Sequence, residues 1–545
     1  MTALDHPARH ADGPEQPPQR VPFPVVDEVS RHCLQEEEPE TVHIEVHLPG
    51  MPDPARLKAA FTEALRRHPR ILMREARGPW YRRRYEWELT PGPDVEVVTF
   101  PAPERDALKK ARTRSLSQAP PLSASPPIRL EVIASDGEGD SVASGRSGGL
   151  VPGGGPVPGG GHVPGGDPVS GNGGRGETAP GEGTGSGDDA GPTDPGGATR
   201  ASGTDTPAPG DVSGPGTGAA PNSPGRPASG GSVLFLTINH TALDGPACLR
   251  VLATAAELYG GQDNSPAAPP LRAAPSSAAV PESAEAVGDA RSGWAPPARV
   301  SRGTPEPSPG NGMLVVELPV PRRPKGAPFT VNDQLMVATA LMIAHWNREH
   351  GARPRPFRIT MPVDDRPRSM DMPIGNGTRL VEVPFTADEL TSADWGPQDI
   401  GALLRRTADR TRALKALPRP QLGRGAALLT SPVLPVTLRA AVTRGLRRAA
   451  APWTSTTLLS NIGRVPYSLD FGDAGRAHAV WFSAPARLPR GLTVTTASTA
   501  GRLHVALRWS KSLLSSGDGA HLRDLFEHYL HATEHTEHTR EGTTP

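Results

Sequence analysis

Hydrophobic residues along this chain change period repeatedly, and each change marks an element. Thr41-Val42-His43-Ile44-Glu45-Val46-His47-Leu48 alternates with period two, as a half-buried strand does. Asp53-Pro54 predicts a helix start, with an acid at the N-cap and proline in the first turn. Leu57, Phe61, Ala64 and Leu65 then recur at helical spacing. Arg66-Arg67-His68 place positive side chains at the negative end of that helix, before Pro69. Strands are predicted near 82–89 and 95–100, a helix around 105–117, and a strand over 127–133. The run Val233-Leu234-Phe235-Leu236-Thr237-Ile238 reads as a buried strand, and Leu249, Val251, Leu252, Ala255 and Leu258 as the helix after it.

The second half is patterned in the same way. Met313–Leu318 predicts a strand, and Thr330 with Asp333 a capping box opening a helix to about 348. Strands are expected at 357–361, 379–383 and 455–460, and helices at 398–416, 424–450 and 518–534. Leu492–Ser498 and Leu503–Trp509 form a hairpin across Ala500-Gly501. Strands and helices interleave without a strict βαβ rhythm, which favours two α+β subdomains over a doubly wound sheet.

Between these patterned stretches the chain turns to Gly, Pro, Ser, Thr and Asp. Residues 134–231 contain a near-repeat of Val-Pro-Gly-Gly from Val151 onward, a composition expected to stay disordered. The strands on either side, 127–133 and 232–238, read as neighbours in one sheet, so the stretch is a long hairpin insertion; loop-closure entropy grows only logarithmically with its length. The expected organisation is therefore a disordered tail over 1–20, an N-terminal subdomain over 21–262 interrupted by 134–231, an Ala/Pro/Ser linker over 263–310, and a C-terminal subdomain over 311–540.

Composition narrows the function classes. The chain has 545 residues with 61 Gly, 65 Pro and only 4% aromatics, so part of it cannot offset its chain entropy by burial. With 58 basic and 58 acidic residues it has no footprint for nucleic acid. Cys33 and Cys248 are far apart, which argues against a disulfide framework or a structural zinc site. Neither a signal-like apolar segment nor a membrane-length apolar run occurs, so a soluble, cytoplasmic protein is expected.

The candidate chemistry lies in His240-Thr241-Ala242-Leu243-Asp244-Gly245, where the buried strand breaks into a helix. A strand end holds a side chain rigidly while leaving it open to a cleft, which suits a general base. By itself His240 reads equally well as a satisfied sheet-end histidine. Two other motifs read as structure: Gly145-Arg146-Ser147-Gly148-Gly149 fits G-x-S-x-G but has no strand before it, so it cannot be a nucleophile elbow. His528, His531, His535 and His538 recur at helical spacing and read as a solvated helix end rather than a metal site.

Five strings occur together in order: "ALRRHPRI" (64–71), "INHTALDG" (238–245), "TVNDQLMVATA" (330–340), "MPVDDRP" (361–367) with "IGNGT" (374–378), and "SNIGRVP" (460–466). On these the chain resembles the CoA-dependent acyltransferases of chloramphenicol-acetyltransferase-like fold, near the condensation-domain, polyketide-associated and wax-ester acyltransferases. The resemblance implies two such subdomains in a V with an active-site crevice between them. It implies transfer of an acyl or aminoacyl group to a small-molecule alcohol or amine, in nonribosomal peptide or polyketide metabolism, by a monomer. The donor would be acyl-CoA or a phosphopantetheinyl carrier protein, used as substrate, with no bound cofactor or metal.

The same resemblance makes His240 the general base and pairs Asp244 with Arg366 as a structural link. It gives Gly245 the role of leaving room for a pantetheine arm, and Asn461 that of an oxyanion or acceptor contact beside its plain reading as a loop-stabilising amide. Asp470 and Gly472 of "DFGDAG" are fold markers. One position departs from the condensation-type pattern: Asn239 stands where the first of two histidines is usual, and it can hold the loop by hydrogen bonds. The alternative is a non-catalytic condensation-like module that binds a carrier protein.

Overall fold

The computed structural model describes residues 19–135, 231–262, 295–368, 372–391, 395–417 and 429–534. Most of the expected tail, of the 134–231 insert and of the 263–310 linker lies outside the described residues, as does the Ser147 motif. In chain order the first half runs β1 (Arg20–Pro22), α1 (Val25–His32), β2 (Thr41–Leu48), α2 (Pro54–Arg67), β3 (Met73–Glu75), β4 (Glu86–Leu89), β5 (Val98–Thr99), α3 (Ala107–Ser117), β6 (Ile128–Ala134), β7 (Ser232–Asn239) and α4 (Gly245–Tyr259). The second half runs β8 (Asn311–Pro319), α5 (Val331–Glu349), β9 (Phe357–Val363), β10 (Arg379–Phe385), α6 (Pro397–Ala416), α7 (Val436–Ala450), β11 (Thr457–Arg464), β12 (Ala479–Ser483), β13 (Leu492–Thr499), β14 (Arg502–Ser510) and α8 (Ser516–Ala532).

Two mixed sheets organise the molecule. The first, ordered β12-β2-β7-β6-β5, packs α2 and α4 against one core containing Ile44, Phe61, Leu236 and Leu252. The second, ordered β10-β9-β11-β13-β14-β8, packs α5 and α8 against a core containing Leu341, Val494, Val505 and Phe526. β1, β4 and β3 form a small third sheet. Helix starts follow local chemistry. Asp53 accepts the Arg56 amide at 2.7 Å, and Thr330 and Asp333 bond reciprocally at the start of α5. β6 and β7, which flank the long insert, pair antiparallel from Ile128↔Ile238 to Ala134↔Ser232.

Several elements differ from the sequence expectation. The strand expected over 82–89 begins at Glu86, because Arg82 closes a turn onto the Pro79 carbonyl. That over 95–100 shrinks to Val98–Thr99, with Pro101 unable to extend the ladder. Of the helix expected over 424–450, residues 424–428 lie outside the described residues; residue 429 is helical, and the chain then turns before a helix over Val436–Ala450 that starts directly after Pro435. Residues 295–310, expected within the linker, carry no regular structure, yet Ala298 and Val300 are buried in the second core.

The largest difference is β12, which comes from the second half of the chain and completes the first sheet, with Phe482 opposite Ile44. The sheets are tied further by Arg508 of β14, which donates to the Thr41 carbonyl at 2.7 Å and to Asn311 at 2.7 Å.

Burial also sets the acid response. The pKa of His43, stacked on Phe235 at 5.0 Å, is pushed down to about 3, and those of His68 and His504 to about 4, chiefly by burial. The folded state keeps these rings neutral while the unfolded chain protonates them near the ordinary histidine value of about 6.5. Their contribution is therefore full above pH ~6.5 and is lost as pH falls toward 4. His43 alone costs on the order of 1 kcal/mol per pH unit across that window. Asp27, raised to about 6 by burial, acts in the opposite sense but is a single group. Urea midpoints measured from pH 7.5 downward should fall steadily below pH 6.5; a flat profile to pH 5 would contradict this.

Candidate active site

The His240 turn is built by backbone bonds and one amide side chain. The His240 amide donates to the Glu40 carbonyl at 2.8 Å, and the Ala242 amide to the Asn239 carbonyl at 3.1 Å. Asn239 is buried. Its Nδ2 donates to the Pro120 carbonyl at 2.9 Å, and its Oδ1 accepts the Thr241 amide at 3.1 Å. Both ends of this side chain are used to hold the turn.

His240 Nδ1 lies 3.0 Å from the Leu243 carbonyl. A carbonyl can only accept, so in the neutral ring Nδ1 carries the proton and Nε2 the lone pair. Nε2 is accessible and has no partner among the described residues. The ring lines a cavity of about 490 Å³ walled by both sheets, including Val42 and Phe482 from the first and Leu380, Leu458 and Thr495 from the second.

Asp244 caps α4 by accepting the Ala247 amide at 3.0 Å. Its two oxygens also accept Arg366 Nη2 at 2.9 and 2.7 Å, and Oδ2 accepts the Gly377 amide at 2.8 Å. Arg366 in turn holds Asp364 through Nε at 2.8 Å, and the Pro373 and Gly375 carbonyls through Nη1 at 3.1 and 3.0 Å. A Cβ on Gly377 would stand 2.4 Å from Arg366 Nε, so the arginine fits only over a glycine. Asn376 finishes the link: its Nδ2 reaches the Thr241 carbonyl at 3.0 Å and Asp27 Oδ1 at 2.9 Å. Burial raises the Asp27 carboxyl to about 6, against the pull of Arg70, Asn376 and Trp87.

The other candidate residues divide. Gly245 lines the cavity, and a Cβ there would meet Phe482 at 3.5 Å, an ordinary contact. Asn461 also lines it. Its Oδ1 accepts the Gly463 amide at 2.8 Å and the Thr496 hydroxyl at 3.1 Å, while Nδ2 donates to Asn332 at 3.3 Å. Asp470 and Gly472 form a turn outside the cavity lining. His531 meets Glu534, whereas His535 and His538 lie outside the described residues; among the described residues no group of three or more His, Cys, Asp or Glu is placed to hold a metal ion. Sequence reasoning assigned no role to Asp27, Asp364, Asn376 or Gly377. "IGNGT" carried the last two, but what they touch lies more than a hundred positions away.

No family model matches the chain. Two proteins from two strains of Mycobacterium tuberculosis, both described as uncharacterized, are 29% identical over 283 residues, a match taking in 47% of this chain and 62% of theirs. The chain thus spans less than two thirds of these relatives. Among solved structures, trichothecene 15-O-acetyltransferase of Fusarium sporotrichioides superposes with a TM-score of 0.54 at 10% identity, covering 94% of this chain and 95% of that one. The condensation domain of the monacolin K polyketide synthase MokA gives 0.51 at 10% identity, covering 95% and 97%. The first condensation domain of the CDA synthetase gives 0.51 at 12% identity, with the same coverage. The chain has the chloramphenicol-acetyltransferase-like condensation-domain fold. No described helix of this condensation fold is long and apolar enough to cross a membrane.

Removing one member of a buried charge pair strands the other. Asp244→Ala should therefore cost about 3–5 kcal/mol of stability in denaturant unfolding. A loss below about 1 kcal/mol, the range of exposed pairs, would show that the pair does not hold the turn.

Proposed function

We propose that the chain is a condensation-type acyltransferase that moves an acyl or aminoacyl group from a pantetheine thioester to an alcohol or amine. The observation that carries this reading is the His240 ring, protonated on Nδ1 by its bond to Leu243 and open on Nε2 at the cavity wall. The condensation-domain and acetyltransferase folds of the structural neighbours support it.

The steps follow from that geometry. The acceptor O–H or N–H gives its proton to Nε2 as its lone pair attacks the thioester carbonyl carbon. The C–S bond of the tetrahedral intermediate then breaks, and the leaving thiolate takes the proton back from Nε2. The Leu243 carbonyl stabilises the transient imidazolium through Nδ1–H, as an orienting acceptor does for a catalytic histidine. Asn461 keeps a second amide hydrogen beyond its bond to Asn332, available to the developing oxyanion. Gly245, beside Phe482, leaves the first turn of α4 bare for the pantetheine arm. Asp244 and Arg366 are structural in this scheme, and the donor is either acyl-CoA or an acylated carrier protein.

Transfer should be measured with matched acyl-CoA and acyl-carrier-protein donors. His240→Ala should lower the rate by roughly 10²–10⁴ with an unchanged melting temperature. If the wild-type chain transfers from neither donor while wild type and variant bind carrier protein equally, the chain is a binding module and the enzyme reading fails.

A further inference from the structure

The cavity wall holds a second polar feature, away from the His240 turn. Arg487 and Arg490 both line it from the segment joining β12 to β13. Arg487 is paired: it meets the Glu40 carboxylate and donates to the Cys33 carbonyl at 2.8 Å. Arg490 is not. Its Nε donates to the Ser455 hydroxyl at 3.2 Å and its Nη2 to the Thr360 hydroxyl at 3.4 Å. Nη1 has no partner, and no carboxylate forms an ion pair with the group, among the described residues.

Two arginines placed at structural junctions, Arg508 and Arg366, look different. Arg508 uses all three nitrogens, on Asn311 Oδ1, the Thr41 carbonyl and the Thr41 hydroxyl. Arg366 is satisfied by two carboxylates and two carbonyls. The Arg490 guanidinium is held by two neutral hydroxyls, and the Glu382 carboxylate acts on its charge without a direct hydrogen bond to it. Burial is the main cause that lowers the Arg490 pKa to about 10; Arg487, Arg447 and Arg299 add to it, and Glu382 opposes them. Arg447 also lines the cavity and adds a positive charge on the side of Arg487 and Arg490.

The position of Arg490 suits a substrate rather than the reacting bond. Thr360, under Arg490, lies in β9 four residues before Asp364, which follows the end of that strand and is bound to the Arg366 link at the His240 turn. Four extended residues span about 13 Å. Leu458 and Phe482 also line the cavity.

We infer that Arg490 is a specificity residue that receives a carboxylate carried by the substrate at the end remote from the reacting group. This deepens the acyl-transfer reading and rests on it for the identity of the ligand as a substrate. A planar guanidinium with free N–H groups matches a carboxylate bidentately, with Ser455 and Thr360 fixing its plane.

Calorimetry on the full chain with octanoate, octanamide and inorganic phosphate as probes tests this without requiring turnover. Octanoate should bind at least about tenfold more tightly than octanamide to wild type and equally to His240→Ala. Arg490→Gln should bring the two probes level at an unchanged melting temperature. If Arg490→Gln fails to fold, a wild-type crystal soaked in octanoate decides, with the carboxylate expected on the Arg490 guanidinium. Equal binding of octanoate and octanamide to wild type, a preference that survives in Arg490→Gln, a carboxylate seated elsewhere, or phosphate binding at Arg490 without octanoate binding each overturns the inference. Loss of transfer with the octanoate preference intact would instead count against the acyltransferase reading and leave this site standing.

Discussion

One guanidinium joins the parts on which this site depends. Arg366 sits past the end of β9 in the second sheet and grips Asp244, which caps the helix following the first sheet. The pair is nearly buried, with side-chain exposures of 12% and 3%, so neither charge can be left alone cheaply. Asp364, the Pro373 and Gly375 carbonyls and the Gly377 amide complete the arrangement, which leaves neither carboxylate nor guanidinium short of partners. The turn between Asn239 and Gly245 is consequently held from three directions: by Asn239 from its own sheet, by Arg366 from the other, and by Asn376 across to Asp27.

The rest of the cavity follows from that junction. Since β12 crosses from the second half of the chain to pair with β2, the segment after it, with Arg487 and Arg490, returns along the cavity wall toward β13. The two halves are thus bound by a shared strand and by the buried charge pair, with the cavity between their elements. His240 occupies one part of that wall and Arg490 another, a division suited to a substrate whose reacting and recognised ends differ.

Much of this was legible along the chain, for a physical reason. Where partners are near in sequence, the pattern shows them: alternation gave β2, the Thr330–Asp333 spacing gave the start of α5, and the Ala500-Gly501 turn gave the β13–β14 hairpin. α1 was invisible because its buried positions are Asp27, Glu28 and His32, so no apolar stripe marks it. β12 is short, and its partner lies more than four hundred positions away. The site divides in the same way. His240 stood out as a strand-end histidine, whereas pairing Asp244 with Arg366 came from family resemblance, since 122 positions separate them. Asn376 and Asp27 are 349 apart and carried no local signal.

The proposed transfer depends on this junction holding the neutral His240 ring with its proton on Nδ1 and its lone pair on Nε2. Nitrogen NMR of the full chain with isotopically labelled histidine, the His240 signals assigned by their absence in His240→Gln, measures that tautomer directly. The expected result is a protonated Nδ1 and an unprotonated Nε2 in the neutral ring. A neutral ring protonated on Nε2, or an even mixture of tautomers, would contradict it, because the cavity would then face a donor where acyl transfer needs a base.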